Sequence, residues 1–292
     1  MAKLKLGIPK GSLEEATIAL FAQAGWHIQT QLRNYFPSVN DADLTCSLVR
    51  PQEMAPYIAD GTLDLGLTGL DWIIERECTD QVVEIATLEY SKNSNQPCRW
   101  VLVVPKDSSI QCIADLQGKK IATELENFTR RYLLERGIQA HVDFSWGATE
   151  AKVVEGLVDA IVEITETGST IRAHGLRIVE ELLITQTKLI ANPTALTDPW
   201  KREKIDQIAL LLTAALTARH KVALKMNLPI DKSEEVLSVI PSLQSPTIST
   251  LHDKRWVAVE TVVNRSQVRD LLPKLVKAGA VGILEYDLKK VI

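Results

Sequence analysis

Short, continuously apolar runs alternating with helix-patterned segments constrain this chain more than any other feature. Trp100 to Val104 is apolar throughout and stops at Pro105. Lys120 to Thr123 is another such strand, followed by a helix from about Phe128 to Arg136 that ends at Gly137. His141 to Ser145, a helix to Gly156, and then Val158 to Ile164 complete a further β-α-β step. The same texture opens the chain. A strand over Lys3 to Ile8 halts at Pro9-Lys10-Gly11, and Ser12-Leu13-Glu14-Glu15 reads as a capping box for a helix that ends at Gly25. Leu63 to Gly69 forms a second strand and turn, leading into a helix from Leu70 to Glu77. A strand without a polar face must be covered on both sides, and strands fed by helices pair in parallel. The sequence therefore predicts an α/β fold of parallel sheets with helices on both faces. Ligands in such folds bind at the carboxyl ends of the strands, commonly between lobes.

Ser91 to Pro97 is the most linker-like stretch of the first 200 residues. It divides the α/β part into a first lobe, residues 1–95 with a return over about 185–205, and a second lobe, residues 96–184. After Pro193 the texture changes. Pro199 opens a long helix on which Ile205, Ile208, Leu212, Ala215 and Leu216 keep the 3.6-residue period. The remainder reads strand, helix, strand, strand, helix, strand, the βαββαβ order of a ferredoxin-like domain over 210–292. Appended domains of this kind sense ligands or direct assembly, an analogy from fold alone.

Composition excludes several classes. A net charge of −4 argues against coating nucleic acid. The longest apolar run, Ile208 to Leu216, is far shorter than the ~20 residues that span a bilayer, and the first residues lack a signal-peptide pattern. A soluble, cytoplasmic protein is expected. Cys46, Cys78, Cys98 and Cys112 show no metal-ligand or disulfide spacing, and no HExxH occurs. Any cation is expected to be magnesium carried with a phosphate substrate.

Chemistry concentrates in Asp159-Ala-Ile-Val-Glu163-Ile-Thr165-Glu166-Thr167-Gly168-Ser169-Thr170-Ile171-Arg172. A buried strand delivers hydroxyls around a glycine, and a short helix follows. Glycine lets backbone approach an anion, free amides point outward at the helix start, and the hydroxyls add donors. The stretch fits a small sugar phosphate, with Glu163 or Asp159 accepting from ribose hydroxyls. It reads equally as a well-capped turn, since Ser and Thr favour helix starts. No GxxxxGK[ST] loop is present.

In its context this segment resembles the ATP phosphoribosyltransferase family, which opens histidine biosynthesis. GKKIATELENFTRRYLLERGI, GATEAKVVEGLVDAIVEITETGSTIRAHGL and LIANP carry the resemblance, with IPKGSLEEA and DGTLDLGLTGLDW before them. PSLQSPTIST and KAGAVGILEYDL resemble the regulatory domain of the family's long form. The resemblance implies a two-lobed catalytic core with the periplasmic-binding-protein fold. It also implies a reaction: adenine N1 of ATP attacks C1 of phosphoribosyl pyrophosphate, giving phosphoribosyl-ATP and pyrophosphate. No triad is needed, because N1 already carries a lone pair and positioning dominates.

Carried over by position, the resemblance assigns Glu166, Thr167, Gly168, Ser169 and Thr170 to the 5-phosphate of phosphoribosyl pyrophosphate. Glu163 falls by the ribose hydroxyls, and Asp159 either joins it or serves the strand. Lys10 and Gly11 approach the pyrophosphate or triphosphate, and Arg50, Asp64, Thr68 and Gly69 face the nucleotide. Each of these also has a plain reading as a solvated or turn residue. In the last domain Asn227, Leu243, Thr247 and Ala280 fall at positions of an L-histidine effector site. Feedback inhibition and assembly into dimers and hexamers are implied, and no nucleic-acid or membrane partner. Two positions depart from the family pattern: Ser12 stands where arginine is common, and Glu166 where serine is common. The rival from another class is a non-catalytic two-lobed binding module or an inactive paralogue, which would release no pyrophosphate from the two substrates.

Overall fold

The computed structural model describes residues 3–31, 34–90, 97–241 and 245–292. They divide into two compact units, one covering residues up to 22 and 26–209, the other 23–25 and 210–292. The linker-like stretch at Ser91 lies outside the described residues apart from Pro97.

In the first unit, β1 (Leu4–Pro9), α1 (Glu14–Ala24), β2 (Ile28–Gln29), β3 (Ser38–Val39), β4 (Leu44–Val49), α2 (Pro51–Ala59), β5 (Leu65–Gly69), α3 (Leu70–Glu75) and β6 (Val83–Leu88) come first. Next are β7 (Cys98–Pro105), β8 (Lys120–Thr123), α4 (Glu126–Leu134), β9 (His141–Phe144), α5 (Thr149–Val154), β10 (Ala160–Thr165), α6 (Ser169–Ala173) and β11 (Leu176–Thr185). Then β12 (Thr187–Ala191) precedes the long α7 (Pro199–Arg219). One five-stranded sheet has the order β4-β1-β5-β12-β6 and another the order β11-β7-β10-β8-β9.

The sheets are mixed where parallel ones were expected. β4-β1-β5 and β10-β8-β9 are parallel, but β12 runs against β5 and β6, and β7 against β10 and β11. Both are buried central strands, and an apolar run reports burial without reporting direction. β7 displays the two-sided burial. Trp100, Leu102 and Val104 join a core with Phe128 and Leu133 of α4, while Val101 and Val103 join one with Val153 of α5 and Ile171 of α6. The start of α1 also differs in detail. The reach-back is made by Glu14, whose Oε2 accepts from the Gly11 amide at 3.3 Å, one residue earlier than the Ser12–Glu15 box.

The second unit contains β13 (Lys221–Pro229), α8 (Ser233–Val239), β14 (Thr247–Thr250), β15 (Trp256–Asn264), α9 (Arg265–Lys277) and β16 (Val281–Asp287). The antiparallel order β14-β15-β13-β16 is that of a ferredoxin-like domain, as expected from the element pattern. Val222, Leu224, Met226 and Leu228 alternate along β13 into one core with Val268, Leu271 and Leu275 of α9. No helix among the described residues is long and apolar enough to cross a membrane.

Candidate active site

The parallel strands of each sheet end on the side where the candidate residues gather. In the first sheet Lys10 and Gly11 follow β1, Arg50 follows β4 and Gly69 closes β5, with Pro9 and Val49 in register. Gly11 needs its freedom, since its φ is +106°. The Lys10 ammonium lies 3.9 Å from the Tyr35 ring centroid, and the Arg50 guanidinium 4.9 Å from that of Trp146. In the second sheet Glu124 follows β8, Ser145 to Ala148 follow β9, and Glu163 to Thr170 end β10 and enter α6.

Between these edges is a cleft of about 530 Å³, lined from one side by Ser12, Gly69, Asp71 and Tyr90, and from the other by Cys98 and Ile164 to Thr167, with Ser169 and Thr170. Gly168 caps α6 in the left-handed region, φ 71°. Its amide donates to Thr165 Oγ1 at 2.8 Å, and the Thr167 hydroxyl donates to Ser169 Oγ at 3.0 Å. Amides and hydroxyls thus satisfy one another within a single turn. These donors are free of the buried core, the chemistry an anion site needs. Beside this turn, burial pushes the Cys98 thiol up to about 11, helped by Glu166 and Asp71.

Glu163 points to the other face of β10, toward α5. Burial, with help from the nearby Glu150 and Glu124, raises its carboxyl to about 7 against the opposing bonds from the Ile164 amide and the Thr149 hydroxyl. Burial also raises Glu124, which accepts from the Gly147 amide and the Gln52 side chain. Among the described residues no three His, Cys, Asp or Glu side chains converge as a metal cage. Magnesium keeps several waters and binds through one or two carboxylates plus substrate phosphates, so oxygen donors such as Glu166 at the loop suit a substrate-borne ion.

Three expected nucleotide or ribose contacts are placed elsewhere. Asp64 precedes β5, at the opposite edge of the sheet from Gly69. Its Oδ2 accepts from the Lys5 amide at 2.9 Å and its Oδ1 from Lys201 Nζ at 2.7 Å. The Thr68 hydroxyl is fully buried and donates to the Pro51 carbonyl at 2.7 Å. Asp159 immediately precedes β10, accepts from the Lys120 amide at 2.8 Å and lies 3.6 Å from Lys119. These carboxylates and this hydroxyl bond to neighbouring strands, to the Pro51 carbonyl and to Lys201, away from the loop at Gly168. The D64A variant is accordingly expected to lose about 3 kcal/mol of stability, because it leaves the Lys201 ammonium half-buried and unpaired. ATP affinity should stay unchanged; a titration showing weaker ATP binding at unaltered stability would return Asp64 to the site.

In the second unit Asn227 and Ala280 come together, since Asn227 of β13 is in register with Val281 of β16. Thr247 is on the far edge strand β14, opposite Glu260, with β15 between it and Asn227. Leu243 lies outside the described residues.

Sequence reasoning passed over Asp71, Glu75 and Trp146. Two carboxylates four residues apart on an otherwise apolar helix were the available signal, because such a face cannot be buried without partners.

Comparison with known proteins identifies the family. Residues 50–214 match the family HisG: ATP phosphoribosyltransferase, and residues 218–290 match the HisG C-terminal domain. An ATP phosphoribosyltransferase of Desulfatibacillum aliphaticivorans is 56% identical over 289 residues, covering 99% of this chain and 98% of that one. The chain belongs to the ATP phosphoribosyltransferase family. A relative of the same description from Solidesulfovibrio magneticus is 58% identical over 289 residues, again covering 99% of this chain and 98% of the other. A structure of the Thermotoga maritima ATP phosphoribosyl transferase (HisG:HisZ) complex aligns with TM-score 0.63 at 29% identity, covering 73% of this chain and 98% of that one. Membership makes this chain a pentosyltransferase of histidine biosynthesis, with ATP and phosphoribosyl pyrophosphate as substrates, and phosphoribosyltransferases generally work with a metal ion.

Proposed function

We propose that the cleft binds phosphoribosyl pyrophosphate with its 5-phosphate on Glu166 to Thr170, and ATP from the edge formed by Lys10, Gly11, Arg50 and Gly69. The observation that carries this reading is the left-handed Gly168 turn with its self-satisfied hydroxyls and amide, opening at the carboxyl end of β10. Thr167 and Ser169 exchange their internal bonds for phosphate oxygens, Thr170 adds its hydroxyl, and Glu163 in its ionised form accepts from ribose hydroxyls. Lys10 and Arg50 supply positive charge where pyrophosphate departs. Adenine N1 then needs only alignment with C1, so catalysis comes from positioning and charge. Magnesium, carried on the phosphates, neutralises the leaving group when bound. The two lobes are residues 1–95 with about 185–205, and 96–184.

The same reading makes residues 210–292 a regulatory domain for L-histidine, and the enzyme a cytoplasmic homo-oligomer, dimer to hexamer. Asn227 and Ala280, side by side at the β13–β16 pair, support an effector subsite there. N227A is expected to raise the histidine concentration for half-inhibition about tenfold, the loss of one to two hydrogen bonds, with uninhibited turnover unchanged. Equal loss of both would point to a folding defect.

The test of the activity is pyrophosphate release with ATP, phosphoribosyl pyrophosphate and magnesium, repeated with histidine. Release that requires both substrates supports the reading, and suppression by histidine supports the sensing domain. Folded protein that releases none would favour the binding module or inactive paralogue.

A further inference from the structure

Helix α3 begins directly after β5 of the first sheet, yet its polar side chains bind the second lobe. Asp71 is 2% exposed. Trp100 Nε1 of β7 donates to its Oδ2 at 2.7 Å, and the Thr185 hydroxyl of β11 donates to its Oδ1 at 2.9 Å. The Thr185 oxygen in turn accepts from the Asp71 amide at 3.2 Å. One helical turn on, Glu75 is 5% exposed and takes the amides of Asn127 and Phe128, at the start of α4, on its two oxygens at 2.9 and 2.8 Å. Glu77 and the Ile74 carbonyl extend the seam to Arg131. Trp72 meets Trp100 edge-on, with centroids 6.3 Å apart. The chain returns between the sheets at Gln186, whose carbonyl accepts from the Leu70 amide at 3.0 Å. The Asp71–Thr185 bonds are therefore made beside a crossover between the lobes, and the Glu75 bonds one helical turn further along α3.

We propose that Asp71 and Glu75 are positioning residues, a two-toothed latch through which α3 fixes the angle between the lobes and so aligns adenine N1 with the phosphoribosyl carbon. This rests on the reading above, in which the loop at Gly168 belongs to one lobe and the Lys10–Arg50 edge to the other. Asp71 lines the cleft with both carboxylate oxygens committed to Trp100 and Thr185, and Glu75 lies outside the lining, so each acts through its partners. Carboxylates are fitted to the task because each tooth must accept two donors at once, and a carboxylate has acceptor sites on both oxygens. A hydrophobic contact could hold the lobes together but would not select one angle, whereas bonds with fixed donors do. Since each substrate is held mainly by one lobe, a changed angle costs turnover while leaving the separate affinities intact. Misplacement by about 1 Å can cost on the order of 10²-fold in rate.

The variants that separate this from plain stabilisation are Thr185→Val, which keeps the shape and removes the hydroxyl, Thr185→Ser, which keeps the hydroxyl, and Asp71→Asn. Kinetics, calorimetric binding of each substrate and amide exchange by mass spectrometry are measured on the full chain. T185V and D71N are expected to bind phosphoribosyl pyrophosphate and ATP within about threefold of wild type while kcat falls about tenfold or more. T185S should recover most of the turnover. Exchange at Asn127 and Phe128, the amides held by Glu75 across the seam, should quicken in T185V while β8 and β10 stay protected. Unchanged kcat in T185V overturns the proposal, and so does a loss of both affinities in step with kcat. If the wild-type protein forms no phosphoribosyl-ATP, the activity reading fails and the exchange data decide the latch alone. Faster exchange at 127–128 then upholds it and unaltered exchange removes it.

Discussion

Gly168→Val is expected to weaken phosphoribosyl pyrophosphate binding about a hundredfold or more, on the order of 3 kcal/mol, while the protein stays folded. Gly168 has φ 71°, a region costly to L residues and most costly to β-branched ones. A Cβ there would meet Arg172 Nη1 at 3.1 Å and Ile178 Cδ1 at 3.2 Å, both side-chain ends that can yield. The backbone conformation, more than the crowding, therefore sets the cost. Valine relieves it by leaving the left-handed region, which takes the residue-168 amide away from Thr165 Oγ1 and turns the first amides of α6 out of line. Those are the donors an incoming phosphate needs. The damage stays local because the loop carries no core residue before Ile171, which is buried against Val103 and Ile161. Gly168→Ala, with less side-chain strain, should lose roughly a tenth as much affinity as valine, a difference of about 1.4 kcal/mol. Calorimetry with phosphoribosyl pyrophosphate and magnesium checks the series, alongside a thermal melt. Valine binding as tightly as glycine would mean that the turn is only a helix cap.

The sequence revealed the elements more readily than their directions or their polar seams. Lys120 to Thr123 is observed at its expected bounds because an apolar run between Gly118 and Glu124 has only one place to be buried. The βαββαβ unit was equally legible, since β13 alternates cleanly and α9 keeps its apolar stripe. β11 and β12 were not anticipated as strands. Arg177, Glu180 and Glu181 interrupt the pattern of β11, whose pairing with β7 also shifts register twice. At the site, the loop around Gly168 was legible because glycine among hydroxyls is a local signal. The placement of Asp64 and Asp159 was not legible for the opposite reason. A carboxylate or hydroxyl near a strand end looks the same in sequence whichever end it is on, and only the sheet shows that Asp64 and Asp159 are on the amino side, bonded to Lys5, Lys201 and Lys120. The Asp71 and Glu75 pair on α3 was a local signal, but the Asp71 side-chain partners are 29 to 114 residues away in the chain and could not be read from the sequence.

On the proposed reading, Glu163 is expected to set the pH range in which the enzyme binds its sugar substrate. With its carboxyl raised to about 7 by burial and by Glu150 and Glu124, the group titrates where most carboxylates are already fully ionised. The ionised form accepts charge-assisted bonds from ribose hydroxyls on both oxygens, roughly twice as strong as those to the neutral acid, so affinity for phosphoribosyl pyrophosphate should rise between about pH 6 and pH 8 and then level off. Stability runs the other way. A carboxyl raised above its unfolded value of 4.5 favours the folded state while protonated. That contribution is complete below pH 4.5, fades as pH rises through about 7, and amounts to about 3 kcal/mol. Glu163→Gln keeps the shape and removes the titration. It should match wild type in melting temperature near pH 4.5 and exceed it by several degrees at pH 8, while turnover falls about a hundredfold and its pH dependence flattens. A variant that is both inactive and less stable at pH 8 would show that Glu163 is a structural acceptor for Thr149 and the Ile164 amide. A variant that is more stable and inactive is the expected outcome: a buried charge kept at a cost in stability because the substrate requires an acceptor there.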